Sequence, residues 1–125
     1  MEKEKIKNSY NVEDIGQVQI ADEVIAVIAG LASTEVEGVV KMSGNITNEI
    51  VSKLGMKNLS KGVKVEISGD EIEVKLSLVL RYGVSIPKTS REVQEKVKNA
   101  IETMTGFTVT NVDIRIAGIQ TEDEQ

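Results

Sequence analysis

The chain has 125 residues, 40% of them apolar, and carries 15 Lys and Arg against 20 Asp and Glu, a net charge of −5. That length supports one domain with a single core, and the acidic balance argues against a phosphate-backbone partner, whose affinity comes from clustered cations. The sequence contains no His and no Cys, which removes the commonest general base, the commonest transition-metal ligand, disulfides and thiolate chemistry.

The start, Met1-Glu2-Lys3-Glu4-Lys5, leads into no apolar signal segment. The longest apolar run, Val24–Ala32, is nine residues, far short of the roughly 20 needed to cross a bilayer. The expectation is a soluble intracellular protein with no direct membrane insertion. Tyr10, Tyr82 and Phe107 are the aromatic residues, so Val, Ile, Leu, Ala and Met must build the core.

Residues 1–14 are polar and mixed in charge and are expected to form a flexible tail. Gly16-Gln17-Val18-Gln19-Ile20 alternates and predicts a short strand. Asp22 is the expected N-cap of a helix running to about Thr34. Beyond Asp22 and Glu23 that helix has no charged face. Val24, Ile25, Val27, Ile28 and Leu31 cover a wide arc, and Ala26, Gly30 and Ser33 lie opposite, where a surface helix would carry Lys or Glu. Gly inside a helix costs about 1 kcal/mol relative to Ala, so Gly30 calls for a reason such as close approach of another backbone. Two readings stand: the helix is sandwiched within the monomer, or the small residues meet a partner chain.

Val39–Met42 predicts a strand. Ile46, Ile50, Val51 and Leu54 have helical spacing ahead of Gly55 and predict a short helix. Val63, Val65 and Ile67, then Ile72, Val74, Leu76, Leu78 and Leu80, alternate with polar residues around Gly69-Asp70. That pattern predicts a two-residue hairpin turn at Gly69. It pairs Ile67 with Ile72, Val65 with Val74 and Val63 with Leu76, and sets Glu66 against Glu73 and Lys64 against Lys75. A slip of one residue would scatter the apolar set over both faces.

Tyr82-Gly83 ends the long strand. Thr89-Ser90-Arg91-Glu92 fits a capping box at the start of a second helix, whose stripe is Val93, Val97, Ala100, Ile101 and Met104. Gly106 closes it. Val112, Ile114 and Ile116 alternate with Asp113 and Arg115 as the last strand; Val109 is out of phase, which predicts a bulge or twist at Thr110-Asn111. Residues 120–125 form an acidic tail.

The order β-α-β-(short α)-β-β-α-β predicts one α+β domain over residues 15–119. Its two layers would be a mixed, mostly antiparallel sheet of four or five strands and two main helices on one face. The opposite face would be solvated and would carry Lys64, Glu66, Glu73, Lys75 and Arg115. With Ala26, Gly30 and Ser33 these are the candidate partner-binding residues. Residues 23–42 and 91–119 also share a layout, each a helix running into a Gly corner and then a strand: Val36-Glu37-Gly38-Val39 and Met104-Thr105-Gly106-Phe107. This echo points to a scaffold rather than a reaction.

No set of residues assembles into chemistry. Ser52-Lys53 and Ser60-Lys61 are adjacent pairs in polar stretches, and Glu66 with Glu73 would hold a hard cation weakly. An enzyme using carboxylates and Lys alone would need a concave pocket. Neither phosphate-cradling glycine motif occurs. The α-β-β-α-β order is similar to KH nucleic-acid modules, but those clamp the backbone with G-x-x-G, and no two glycines here are three apart. No catalytic, cofactor or metal residue is assigned, and no nucleic-acid partner is expected.

Lys61-Gly62-Val63, Tyr82-Gly83, Val93-Gln94, Val97, Met104-Thr105-Gly106-Phe107 and Val112-Asp113-Ile114, with Gly16–Ile20 and Val36–Val39, resemble the alkaline-shock/general-stress (Gls) family. These are envelope stress response proteins of Gram-positive bacteria. Phe107 stands where a Leu is expected. The resemblance implies a small cytoplasmic, non-enzymatic interaction module in cell-envelope and alkaline-stress homeostasis. Some relatives gather at the inner face of the membrane through a membrane-anchored partner. The alternative is a regulatory partner of a metabolic enzyme, for example in lipid synthesis, docked through the solvated sheet face. Homo-oligomerisation stays open. Gly38, Gly69, Tyr82, Gly83, Thr105 and Gly106 are expected to be structural.

Overall fold

The computed structural model describes residues 9–11, 16–42 and 61–121. In chain order they form β1 (Ser9–Asn11), β2 (Gln17–Gln19), α1 (Asp22–Thr34), β3 (Val39–Met42), β4 (Val63–Ser68), β5 (Glu71–Arg81), α2 (Ile86–Thr105) and β6 (Thr108–Gln120). The short helix expected over residues 46–54 lies outside the described residues.

The alternation in β5 organises the domain. Ile72, Val74, Leu76, Leu78 and Leu80 are all buried on one face of the strand. The hairpin has the register its pattern dictates: Ile67 opposite Ile72, Val65 opposite Val74, Val63 opposite Leu76, with Glu66 against Glu73 and Lys64 against Lys75. The opposite edge of β5 carries β6, parallel, along its whole length. β3 pairs antiparallel with Leu78–Leu80, so β3 and β4 share one edge end to end. The sheet is therefore mixed, with two antiparallel pairings and one parallel one. A parallel neighbour requires a crossover, and α2 supplies it.

β6 slips register between Val109 and Asn111, leaving Thr110 as the extra residue. This is the bulge that the phase of Val109 demands: it returns Val112, Ile114 and Ile116 to the helix side, opposite Val74, Leu76 and Leu78. A second shift at Ala117 follows. Both helices lie on that side, and Ile25, Ile28, Ala29 and Ala32 of α1 join Val93, Val97 and Ile101 of α2 over the β5 row. The fold is the two-layer α+β domain expected, with both main helices on one face.

Several local expectations are corrected. Gln17–Gln19 does not join the main sheet; it pairs with Ser9–Asn11, inside the stretch expected to be a tail. All three residues of β2 are exposed, so it has no apolar row to bury there. The N-cap of α1 is Ala21, which has no side-chain cap, and Asp22 is the first helical residue. There its charge still faces the positive end of the helix dipole. α2 starts at Ile86, with Ser85 as N-cap accepting from the Lys88 N–H at 3.3 Å. Thr89 lies inside the helix and is buried. Pro87 fits the first turn, where no amide donor is needed. Met104 is 67% exposed; the buried stripe is Thr89, Val93, Val97, Ile101 and Thr105, a strict i, i+4 row.

The two echoed corners differ in geometry. Gly106 is the C-cap of α2 in the left-handed region, φ 79°, and its N–H reaches Glu102 O at 2.9 Å. α1 ends instead at Glu35 in right-handed conformation, and Gly38, φ 102°, sits in the turn that follows. A Cβ on Gly38 would lie 3.1 Å from Val84 Cγ1, whereas one on Gly106 would meet nothing within 4 Å. Gly106→Ala is expected to cost about 1 kcal/mol and Gly38→Ala about 2 kcal/mol, the second adding a clash to the backbone strain. Chemical denaturation of the two variants checks that order.

Candidate functional site

The outward residues of the sheet follow from the register. Glu66, Glu73 and Asn111 form one row across it, then Lys64, Lys75 and Asp113, then Ser77 and Arg115, then Lys41, Val79 and Gly118, and finally Arg81 and Gln120. The charged members are all exposed. The structure thus brings together all five sheet residues expected from the sequence, Lys64, Glu66, Glu73, Lys75 and Arg115, and adds Lys41, Arg81 and Asp113.

Charge is segregated along this face. Glu66, Glu71 and Glu73 occupy the end near the hairpin turn, while Lys64, Lys75, Arg115, Lys41 and Arg81 follow in a band broken only by Asp113. Like charges directly across strands cost a few tenths of a kcal/mol when solvated, and the diagonal Lys–Glu neighbours offset part of this. Among the described residues no ion pair ties these side chains to one another; Lys96 and Glu35 pair elsewhere at 3.7 Å. The band is exposed to solvent. Lys41 could not be read from the sequence, because a register shift between Val39 and Lys41 reverses the phase of β3.

The small residues of α1 are a correction. Ala26, Gly30 and Ser33 are buried, and the Ser33 hydroxyl donates to Ala29 O at 2.8 Å. Ala26 shares a depression with Val63 and Val65 of β4. Side chains buried in this way are not a free surface. Part of the wide apolar arc faces outward instead: Val24 is 50% and Leu31 43% exposed, with half-buried Val27 between them, while Ile25 and Ile28 are buried.

The residues expected to be structural sit at corners. The Thr105 hydroxyl donates to Ile101 O at 2.6 Å and accepts from the Phe107 N–H at 3.1 Å, closing the turn into β6. Gly69 lies in the hairpin turn at φ 64° and Gly83 in the turn after β5. The Tyr82 N–H donates to Gln120 O at 2.9 Å, but its ring is 72% exposed.

The depressions on the surface are open. One of about 310 Å³ gathers Glu35, Glu37, Glu92 and Glu95 with Lys96 between the end of α1 and α2. Among the described residues no group of three or more acidic side chains could hold a metal ion, and no helix is long and apolar enough to cross a membrane.

Comparison with known proteins then decides the lineage. The alkaline shock protein 23 family, described as having a cell envelope-related function, matches residues 10–121. The chain belongs to this family. The resemblance carried by the Tyr82-Gly83 and Met104-Thr105-Gly106 elements is thereby borne out. An uncharacterised protein of Bacillus subtilis, YqhY, is 41% identical over 115 residues, 92% of this chain and 85% of that protein. A second, YloU, is 33% identical over 107 residues, 84% of this chain and 89% of its own length. A Streptococcus pyogenes protein named stress response regulator gls24 homolog is 27% identical over 110 residues, 87% of this chain and 62% of that protein. Among solved structures, a variant of MamM CTD aligns at a TM-score of 0.48 and 12% identity, covering 77% of this chain and 93% of that one. At that level the likeness says nothing of what this family member binds.

The orientation of α1 has a direct check. Leu31→Lys, on the outward stripe, is expected to change stability by no more than about 0.5 kcal/mol. Ser33→Leu, forced into a filled site, is expected to cost about 1–3 kcal/mol. Denaturant midpoints of the two variants would show the opposite order if the small residues faced solvent.

Proposed function

We propose that this protein is a non-catalytic interaction module of cell-envelope stress homeostasis, working in the cytoplasm and docking a protein partner on its open sheet face. The observation that carries the reading is the basic band of Lys41, Lys64, Lys75, Arg81 and Arg115, exposed on one face of the sheet and tied into no ion pair among the described residues. Exposed charges of one sign set the orientation and rate of docking more than its strength. The partner is therefore an acidic protein surface, and its binding weakens as salt rises. The family's cell envelope-related description and the stress-regulator name of a relative support the physiological setting.

The same face serves the second reading, a regulatory partner of a metabolic enzyme, because an exposed charged sheet face can meet an enzyme surface as well as a membrane-anchored adaptor. The test is affinity purification from native cells with the wild type and with Lys64→Glu/Lys75→Glu. These residues lie on the solvated side, and their reversal should leave the melting transition intact. Co-purification is expected to fall at least tenfold in the variant; equal recovery of partner by both proteins would remove the sheet face from consideration.

A further inference from the structure

We propose that the chain self-associates through the outer edge of β6, pairing antiparallel with a second copy about a two-fold axis at Ile114. β6 is paired along one side by β5, and among the described residues no strand pairs with its other side. Such an edge offers a row of backbone donors and acceptors to another strand.

The direction of each backbone group is set by its neighbours. The Thr108 N–H points inward, to Asp70 O at 2.8 Å. The Val109 N–H points outward and donates to Glu102 Oε2 at 2.9 Å. The bulge at Thr110 resets the alternation, and the Val112 carbonyl again points outward, accepting from Gln94 Nε2 at 3.0 Å. Ile114 and Ile116 follow in the same phase. Thus α2 covers the edge as far as Val112, and among the described residues nothing is seen to bond the outward groups of Ile114 and Ile116. Their side chains are half-buried on the helix side, with Asp113 and Arg115 exposed on the other.

Only some registers give a ladder. An axis lying between two residues would set an outward residue against an inward one, so the axis must pass through a residue. Centring on Asp113 puts that carboxylate against its own copy, and centring on Arg115 does the same with two guanidiniums. Centring on Ile114 pairs Asp113 with the partner copy's arginine and Arg115 with its aspartate. It also sets Val112 against the partner copy's isoleucine on the helix side and Ile114 against itself. That register is self-complementary in charge, in apolar surface and in hydrogen bonding. The Val112 carbonyl has room for a second donor beside Gln94, since a carbonyl accepts two. The two-fold axis is perpendicular to the sheet, so the sheet runs unbroken across two protomers with all helices on one side.

Sedimentation equilibrium of the full chain tests this. The apparent mass is expected to rise with concentration towards twice the 13.6 kDa of one chain. Asp113→Arg alone and Arg115→Asp alone are each expected to stay at the monomer mass, because every pair across the axis becomes like-charged. An equal mixture of the two is expected to regain the doubled mass, since each chain then meets its opposite. The exchanged double variant, Asp113→Arg/Arg115→Asp, is expected to associate like the wild type. It also covers the case in which a single variant fails to fold. A wild type that stays monomeric at every concentration overturns the proposal. So do single variants that associate normally, or a mixture and a double variant that both fail to recover.

Discussion

β5 is the strand on which everything else is indexed. It is flanked on both sides, by β6 along its full length and by β4 and β3 in succession on the other edge. Its inward row, Ile72 to Leu80, is almost wholly removed from water. Burying five large aliphatic side chains in one row is worth on the order of 10 kcal/mol before the entropy of ordering them. A slip of one residue would forfeit it. Each neighbouring strand takes its phase from that row, and the charges on the opposite face fall where they do because the apolar residues between them cannot go anywhere else. The charged face is, in this sense, a by-product of the core.

The helices are fitted to the row by polar groups as well as apolar ones. Ser33 and Thr105 are buried, and each returns its hydroxyl to a carbonyl one turn back, Ala29 O and Ile101 O. Neither leaves an unsatisfied donor in the core, where one would cost about 1–3 kcal/mol. Gln94 and Glu102 do a different job from the same helix, reaching over to the backbone of β6. They fix the crossover helix to the strand it delivers, and they occupy backbone groups at the start of an edge that would otherwise be open over its whole length.

Period-2 signals survived the passage from sequence to structure because only one register satisfies them. The β4–β5 pairing and the bulge at Thr110 were both legible, the second from a single residue out of phase. Helix faces were less legible. In α1 nearly every side is apolar or small, so the sequence gives no polar stripe to orient it. That is why two readings of it stand from sequence alone, and why the exposure of Val24 and Leu31 was not legible. In the fold Ala26, Gly30 and Ser33 are buried beside Ile25, Ile28, Ala29 and Ala32, and close packing leaves little room there for a larger side chain. The start of α2 was missed because Pro87 reads as a boundary unless Ser85 is recognised as the cap before it. The direction of β6 was open for a different reason. Nothing in its own alternation says which edge of β5 it takes, and that choice belongs to the crossover.

Edge and face are not independent surfaces, because Arg115 belongs to both. Its side chain lies on the open face, level with Ser77, while its strand supplies the free edge. In a two-fold pair across Ile114, Arg115 turns from a surface cation into one half of a cross-strand ion pair, and Asp113, the one carboxylate interrupting the basic band, is neutralised with it. What remains on each protomer is Lys41, Lys64, Lys75 and Arg81. Two such sets then lie on one continuous sheet, related by the axis between them. A partner reading that surface meets a symmetric array rather than a single patch, and two weak contacts at fixed separation bind far more tightly than either alone when the partner spans both. Self-association at the edge would in this way set the strength of docking on the face without adding a residue to it.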